Sequence, residues 1–351
     1  MPLECTVPEQ RASSLINDSS RDEDARDGSA VIRIRGKNIT VPATKVGDIT
    51  VVVLGKLLKI ASVKDDLFLP TDPVHDPEQL VAHLRERGPQ AHVFTFEQRL
   101  PDVTPKYGYR LEWENVAAVR TTDFNAWWDA LPQETRKNAR RAQKRGVIVK
   151  PAVLNDELVT GIVAIYNESA LRQGKPFYHY GKPFETVKKE LSTFSGTSEF
   201  IGAYLGDELI GFIKLVYMGP VASIMHIVSQ QAHVDKRPTN ALLAAAIAHC
   251  HKKGMTHLIY GSYTYGRKTN SSLAEFKRRN GFEQILIPRY YIPLTLTGRV
   301  ILALNLHRGI IGILPPLLIS ALLRLRAKAL EAMWATRRML GGRPIARPEA
   351  Y

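Results

Sequence analysis

Residues 200–229 read FIGAYLGDELIGFIKLVYMGPVASIMHIVS, and the reading of this stretch decides the fold. Three apolar runs rich in β-branched and aromatic residues, 200–205, 209–218 and 223–229, predict three strands. Gly206-Asp207 between the first two is a hairpin-type turn, so the stretch begins as an antiparallel meander. Downstream, residues 239–253 form an apolar, Ala-rich helical pattern closed by Gly254, and 257–260 is a buried-looking strand. A second helix over 272–279 stops at Asn280-Gly281 and precedes two strand-like pieces, 282–287 and 290–294.

Upstream, a similar grammar appears in shorter form. Strands are predicted over 31–35 and 48–54, separated by a turn-rich stretch around Pro42 and Gly47. A helix over 76–87 carries Leu80, Val81 and Leu84 at helical spacing and ends at Gly88. The strand 91–96 follows, then strand-like pieces at 107–113 and 117–121, then a helical stretch 124–145 with a break at Pro132.

The two halves align without a gap over one segment. Ala82-His83, Arg87-Gly88 and Val93-Phe94 match Ala248-His249, Lys253-Gly254 and Ile259-Tyr260. A second echo sets Pro105-Lys106-Tyr107 against Pro288-Arg289-Tyr290. Read as a repeat, these matches imply two copies of one mixed α/β unit, the first abbreviated.

The chain has 351 residues, with 48 Lys+Arg against 34 Asp+Glu and a net charge of +14. Residues 1–30 carry a net −4 and residues 298–351 a net +7, which leaves +11 on the stretch between them. A body so charged suits anionic partners: a nucleotide cofactor, tRNA, an acidic glycan or an anionic membrane face. Hydrophobic content of 44% excludes a disordered or collagen-like chain, and the two cysteines, Cys5 and Cys250, are too few and too far apart for a disulfide framework or a zinc site. Residues 1–30 lack a basic region followed by an apolar one. They predict a disordered lead without a secretory signal, and hence a cytoplasmic protein.

The order of elements in the second half resembles the GNAT (acyl-CoA N-acyltransferase) fold, and two such units in tandem resemble the FemAB-like branch, the peptidoglycan aminoacyl transferases and their relatives. Three stretches bear the likeness: Arg136-Lys137-Asn138 through Lys144-Arg145-Gly146; Ile210-Gly211-Phe212; and Phe276-Lys277-Arg278-Arg279-Asn280-Gly281-Phe282 with Pro288-Arg289-Tyr290-Tyr291. The resemblance implies an α/β protein with a mixed sheet: a disordered lead (1–30), an abbreviated GNAT-like unit (31–122), a basic helical connector (123–150), a complete GNAT-like domain (151–297) and C-terminal amphipathic helices (298–351). It further implies transfer of an acyl or aminoacyl group to an amine of a cell-envelope precursor or amino sugar. Acyl-CoA or aminoacyl-tRNA would be the co-substrate, with no permanently bound cofactor or metal.

One departure bears on the donor. GNAT enzymes that use acetyl-CoA resemble one another in a glycine-rich loop before the central helix, whose N–H groups cradle a pyrophosphate. Here the position reads His233-Val234-Asp235-Lys236-Arg237-Pro238-Thr239-Asn240. Pro238 suits the first turn of a helix, and Lys236, Arg237, Thr239 and Asn240 still offer a phosphate site.

Acyl transfer to an amine needs a neutral amine, a positioned carbonyl and a donor for the developing oxyanion, but no protein nucleophile. In line with this, no nucleophile-elbow motif is present. The resemblance puts Lys277 near the donor and the transition-state charge; the alternative is a solvated basic helix end. His179 and Tyr180 lie in a loop rich in aromatic and hydrogen-bonding groups. An imidazole titrating near working pH makes His179 a candidate base, against a merely structural loop histidine. His226, on the third strand of the meander, borders the place where such folds hold the donor, or is a satisfied core histidine. Tyr263 and Tyr265 follow a strand end and offer hydroxyl groups to a leaving group, or simply pack.

Residues 136–150 hold seven Lys/Arg and no acid. Arg136, Lys137, Arg140, Arg141 and Lys144 make the helix basic nearly all round, which suits phosphates of tRNA or of a nucleotide- or lipid-linked acceptor; a solvated helix is the alternative. This run also supports a reading from another class, a non-catalytic module that binds RNA or acidic glycan. In the tail, the uncharged stretch 309–323 is too short and, at Pro315-Pro316, too broken to span a membrane. A basic amphipathic pattern follows, with Leu318, Leu322, Leu325, Ala329 and Met333 on one face and Trp334 at its flank. It predicts either peripheral association of residues 298–340 with an anionic membrane, or packing on the body or a second subunit.

Overall fold

A computed structural model describes residues 25–308 except 27, 35–36, 67–73, 89, 173 and 265–270. The first strands are β1 (Ala25–Arg26), β2 (Ser29–Ile34), β3 (Lys37–Val46), β4 (Ile49–Leu54) and β5 (Ile60–Val63). Helix α1 (Pro77–Glu86) leads to β6 (Val93–Glu97) and β7 (Arg110–Arg120). Next come α2 (Phe124–Ala130), α3 (Gln133–Lys144), β8 (Val147–Ala152), α4 (Asp156–Asn167), the short β9 (Leu171–Arg172) and β10 (Lys175–Pro176), and α5 (Phe184–Leu191). The meander is β11 (Ser198–Leu205), β12 (Glu208–Met218) and β13 (Val221–Ser229). The chain continues through α6 (Pro238–Lys252), β14 (His257–Ile259), α7 (Ser272–Arg279), β15 (Glu283–Pro293) and α8 (Leu296–Ala303).

Among the described residues one thirteen-stranded sheet runs in the order β1-β2-β3-β4-β5-β6-β15-β7-β14-β13-β12-β11-β8. Its two parallel contacts, β5 with β6 and β13 with β14, are each bridged by one helix, α1 and α6. Read outward from the central β15–β7 pair, the two wings have the same order, which is the tandem α/β arrangement the first sequence echo implies. The Gly254 that closes α6 has φ 71 and the Gly281 that closes α7 has φ 80, left-handed values that glycine reaches without a Cβ penalty.

The halves exchange their last strands. β7, from the first half, lies between β14 and β15, while β15, from the second, lies between β6 and β7. Each is one unbroken strand of eleven residues where the sequence predicts two pieces. Pro288 stays within β15 because its missing N–H is not needed there; its carbonyl accepts the Gln98 N–H at 2.8 Å. The second echo does not mark equivalent places: Tyr290 lies within β15, Tyr107 precedes β7, and the two rings pack edge to face with centroids 5.2 Å apart.

Three further differences concern boundaries. Residues 25–30, predicted as part of a disordered lead, instead contribute β1 and the start of β2 to the sheet, and Ala30 is buried. The basic connector predicted for 123–150 is two helices and the start of an edge strand, β8, paired with β11. Helices α4 and α5 were not predicted, although Asn155 caps α4 by accepting the Leu158 N–H at 2.9 Å and Leu158, Val159, Ile162 and Ile165 form its buried stripe. Residues 1–24 and the tail from 309 onward lie outside the described residues. No described helix is long and apolar enough to cross a membrane.

Candidate active site

The sheet parts where β13 leaves β14. Only Val221–Ser223 pair with His257–Ile259. Beyond them Tyr260 and Gly261 stay with β7 through hydrogen bonds to Ala117, while β13 follows β12 to Ser229. At the parting β13 carries a bulge: Lys214 faces His226 and Leu215 faces Ile224, so Met225 is an extra residue. Such bulges turn side chains out of the regular alternation. The gap has β13 as one lip and residues 260–262 as the other, with α6, which connects the strands, along one face of the sheet and α4 and α5 on the opposite face.

On the α6 side, Lys277 is fully buried at the end of α7. Its Nζ donates to the carbonyl of Ser262 at 2.7 Å and stands 4.7 Å from the centre of the Tyr260 ring, on the second lip. Burial pulls its pKa down to about 8. The solvated-helix-end alternative therefore fails for Lys277 but describes its neighbours Arg278 and Arg279, which are exposed and paired with Glu275.

The end of α7 is tied to the start of α6, since the Asn240 amide donates to Asn280 Oδ1 at 3.2 Å, and to α3, since the Thr135 hydroxyl donates to the Arg279 carbonyl at 3.0 Å. At the start of α6 Arg237 adopts φ 58, Pro238 is the first helical residue, and no side chain caps the free N–H groups. Thr239 Oγ1 is 2.8 Å from Ser229 Oγ, the last residue of β13. Lys236 and Arg237 are half-buried beside this turn, and Arg145 reaches across to Asp235 at 3.2 Å.

The basic run lies along α6. Thr135 and Ala142 supply its narrow buried stripe. Arg136 pairs with Asp129 at 3.5 Å, Arg140 stands over Trp128 at 5.5 Å and Arg141 lies 4.0 Å from Glu134, while Lys137 and Lys144 are exposed. Of the tyrosines, Tyr263 is half-buried against the α6-side core, and Tyr265 lies outside the described residues.

On the opposite face the loop before α5 folds into a cluster of rings. His179 stacks on Tyr166 of α4 at 4.4 Å and meets Phe177 at 5.4 Å, Tyr178 at 5.0 Å and His226 of β13 at 5.6 Å. Tyr180 does not belong to this cluster; its side chain is half-exposed and it makes none of these ring contacts, the neighbouring aromatic place being taken by Tyr178. Burial first, then the proximity of His179 and Lys214, pushes the His226 pKa down to about 3, so its imidazole is neutral.

The cluster contains residues that sequence reasoning missed. Glu190 of α5 accepts from Lys182 Nζ through both oxygens at 2.9 Å and lies 3.8 Å from His179 Nδ1. Lys214, fully buried on β12, donates to the Leu191 carbonyl at 2.8 Å at the end of α5, and burial lowers its pKa to about 8. A lysine inside the apolar run 209–218 was the available signal for Lys214. Glu190 lacked one, because the helix that carries it was not predicted.

The geometry thus brings His179 and His226 together on one lip, and sets Lys277, Asn240 and the α3 basic run in one assembly on the other side. Cys250 is buried and its thiol is pushed up to about 12 by that burial, which removes it as a nucleophile. Among the described residues no group of His, Cys, Asp or Glu is arranged to hold a metal ion.

Among solved structures, the crystal structure of FemX matches 79% of this chain and 90% of its own at 10% identity, with a TM-score of 0.51. The fold is that of FemX. Less similar to this chain are a C-terminal domain of a putative lysylphosphatidylglycerol synthetase from Agrobacterium fabrum (14% identity, 80% of this chain, 89% of that one, TM-score 0.46) and a tandem GNAT protein from the clavulanic acid biosynthesis pathway (15%, 77% and 85%, TM-score 0.39). No family model and no curated protein matches the sequence, so the likeness is one of fold.

Proposed function

We propose that this chain is an N-acyltransferase that joins an acyl or aminoacyl group to an amine of a cell-envelope precursor or amino sugar. The observation that carries the reading is the parted sheet, with a pair of imidazoles among aromatic rings on one face and a buried lysine on the other. A carbonyl held in the gap meets an amine from the His179 side. His179 takes one proton from the ammonium, the freed lone pair forms the C–N bond, and the C–S or C–O bond breaks with its electron pair on the leaving atom, which takes up the second nitrogen proton as the amide forms. Lys277, still largely protonated at neutral pH, stabilises the negative charge that develops on oxygen or on the leaving atom. His226, neutral above about pH 3, orients His179 and does not itself carry the proton.

The phosphates of the donor are assigned to the open turn of α6, with Lys236, Arg237, Thr239 and Asn240. For a tRNA-borne donor, Lys137, Lys144 and the rest of the α3 run extend the basic surface from that turn through Arg145. Peripheral association of residues 298–340 with an anionic membrane would bring an envelope precursor within reach. Complete recovery in the soluble fraction at low salt without detergent counts against it.

Thermal unfolding with a panel of CoA thioesters, and separately with aminoacyl-tRNA, is the test of the donor. A ligand at a hundred times its Kd adds about 2.7 kcal/mol to the native state. A rise in Tm with one class identifies the donor. Salt-dependent tRNA binding without any transfer favours the non-catalytic RNA-binding reading instead.

A further inference from the structure

The tip of Lys182 sits in a site with all the features of an ammonium receptor. Its Nζ reaches both oxygens of Glu190 at 2.9 Å, lies 3.2 Å from His179 Nδ1 and stands 3.8 Å from the centre of the Tyr178 ring. A carboxylate, an imidazole lone pair and an aromatic face are the three chemistries that bind an alkylammonium. Because a lysine ammonium only donates, His179 Nδ1 facing it accepts, which leaves the ring proton on Nε2. An ammonium in this place is thus already bonded to the atom that would deprotonate it.

The walls of the site come from separate elements. Glu190 belongs to α5, and His179 is stacked on Tyr166 of α4 and touches His226 of β13 at the gap. Lys182 instead belongs to the turn before α5, beside Gly181, whose φ of 74 only glycine adopts without strain. Lys182 and Glu190 side chains are 13% and 10% exposed, so the pair is shielded enough for its charges to matter. A lysine that filled this place permanently would leave His179 no external amine to act on.

We propose that this pocket is the acceptor subsite of the acyltransferase reading on which the inference rests. The acceptor presents an unhindered primary alkylammonium, and Lys182 is a tethered occupant that leaves when the acceptor enters. A tethered competitor acts at an effective concentration in the millimolar range, so it weakens apparent binding of a free amine without contacting it.

The test is calorimetric titration of the full chain with n-butylammonium chloride at neutral pH and low salt, with no acyl donor present. Lys182→Met, which keeps an unbranched side chain but removes the ammonium over Tyr178, is expected to bind the probe at least tenfold more tightly than the unaltered chain. Adding Glu190→Gln to that variant should abolish the gain. Equal affinity in Lys182→Met and the unaltered chain overturns the proposal, as does a gain that survives Glu190→Gln. Circular dichroism checks that each variant is folded, and Lys182→Gln replaces Lys182→Met if the latter lacks a cooperative transition. Because the readout involves no transfer, loss of the subsite and loss of the enzymatic reading are seen separately: absent transfer with probe still bound rejects only the latter.

Discussion

Arg289 and Asp66 are 223 residues apart in sequence, yet their side chains form an ion pair 2.7 Å long that is almost wholly buried. Arg289 also holds Glu97 at 2.8 Å and Glu114 at 3.1 Å, so one guanidinium on the exchanged strand β15 serves carboxylates from three parts of the first half. Burial and the facing charge of Asp66, then of Glu114, raise the Glu97 pKa from 4.5 to about 8 against the pull of Arg289.

The sign of the resulting pH effect follows from proton counting. Between pH 4.5 and 8 the unfolded chain has released the Glu97 proton while the folded one retains it, so this group lowers stability as pH rises through that window. Glu97→Gln is expected to flatten the dependence and to raise Tm by a few degrees at pH 8. Unfolding scans at several pH values check it.

Lys277→Met should separate stability from activity. Removing a buried cation leaves Tm equal or higher, because the charge is costly to hold at a fully buried position. Transfer is expected to fall by about 100-fold, the scale of losing one preorganised charge-stabilising donor. Unchanged kcat in a folded Lys277→Met protein removes the assigned role.

His226 contributes in the opposite pH direction from Glu97. Its folded pKa of about 3 lies below the ordinary 6.5, so the unfolded chain binds a proton that the folded one refuses, and stability is lost as pH falls from 6.5 towards 3. His226→Gln should reduce this acid sensitivity. In the unaltered protein the His226 ring resonances are expected to stay constant from pH 4.5 to 8.

Cys250 should be inert while the protein is folded. In a Cys5→Ser background, an aromatic disulfide reagent at pH 8 is expected to react only after unfolding, because the buried thiol titrates near 12. Fast labelling of the native state contradicts that.

Ile162→Ala, on the buried stripe of α4, is expected to cost about 2–5 kcal/mol, measured by denaturant unfolding. Because α4 carries Tyr166, on which His179 stacks, the same variant should also weaken alkylammonium binding in the Lys182→Met background.

What the sequence determined by itself was whatever depends on neighbours along the chain. Alternating and β-branched runs with Gly206-Asp207 specified the meander, and glycines at 254 and 281 marked helix ends, because turn geometry and helix termination are local. The repeat of helix, glycine and strand was visible for the same reason, and with it the tandem architecture. Tertiary structure alone decided the exchange of β7 and β15, since a strand's partners are chosen by non-local pairing that its own pattern does not encode. It also separated Lys277 from Arg278 and Arg279, three adjacent cations of one type, by burying the first and leaving the others in water. The site around His179 was legible only as a loop of promising composition. That Glu190, Lys182, Lys214 and His226 converge on it depends on the docking of α4 and α5 on the sheet, and long-range packing of that kind sets the charge and accessibility of a group more than its neighbours in sequence do.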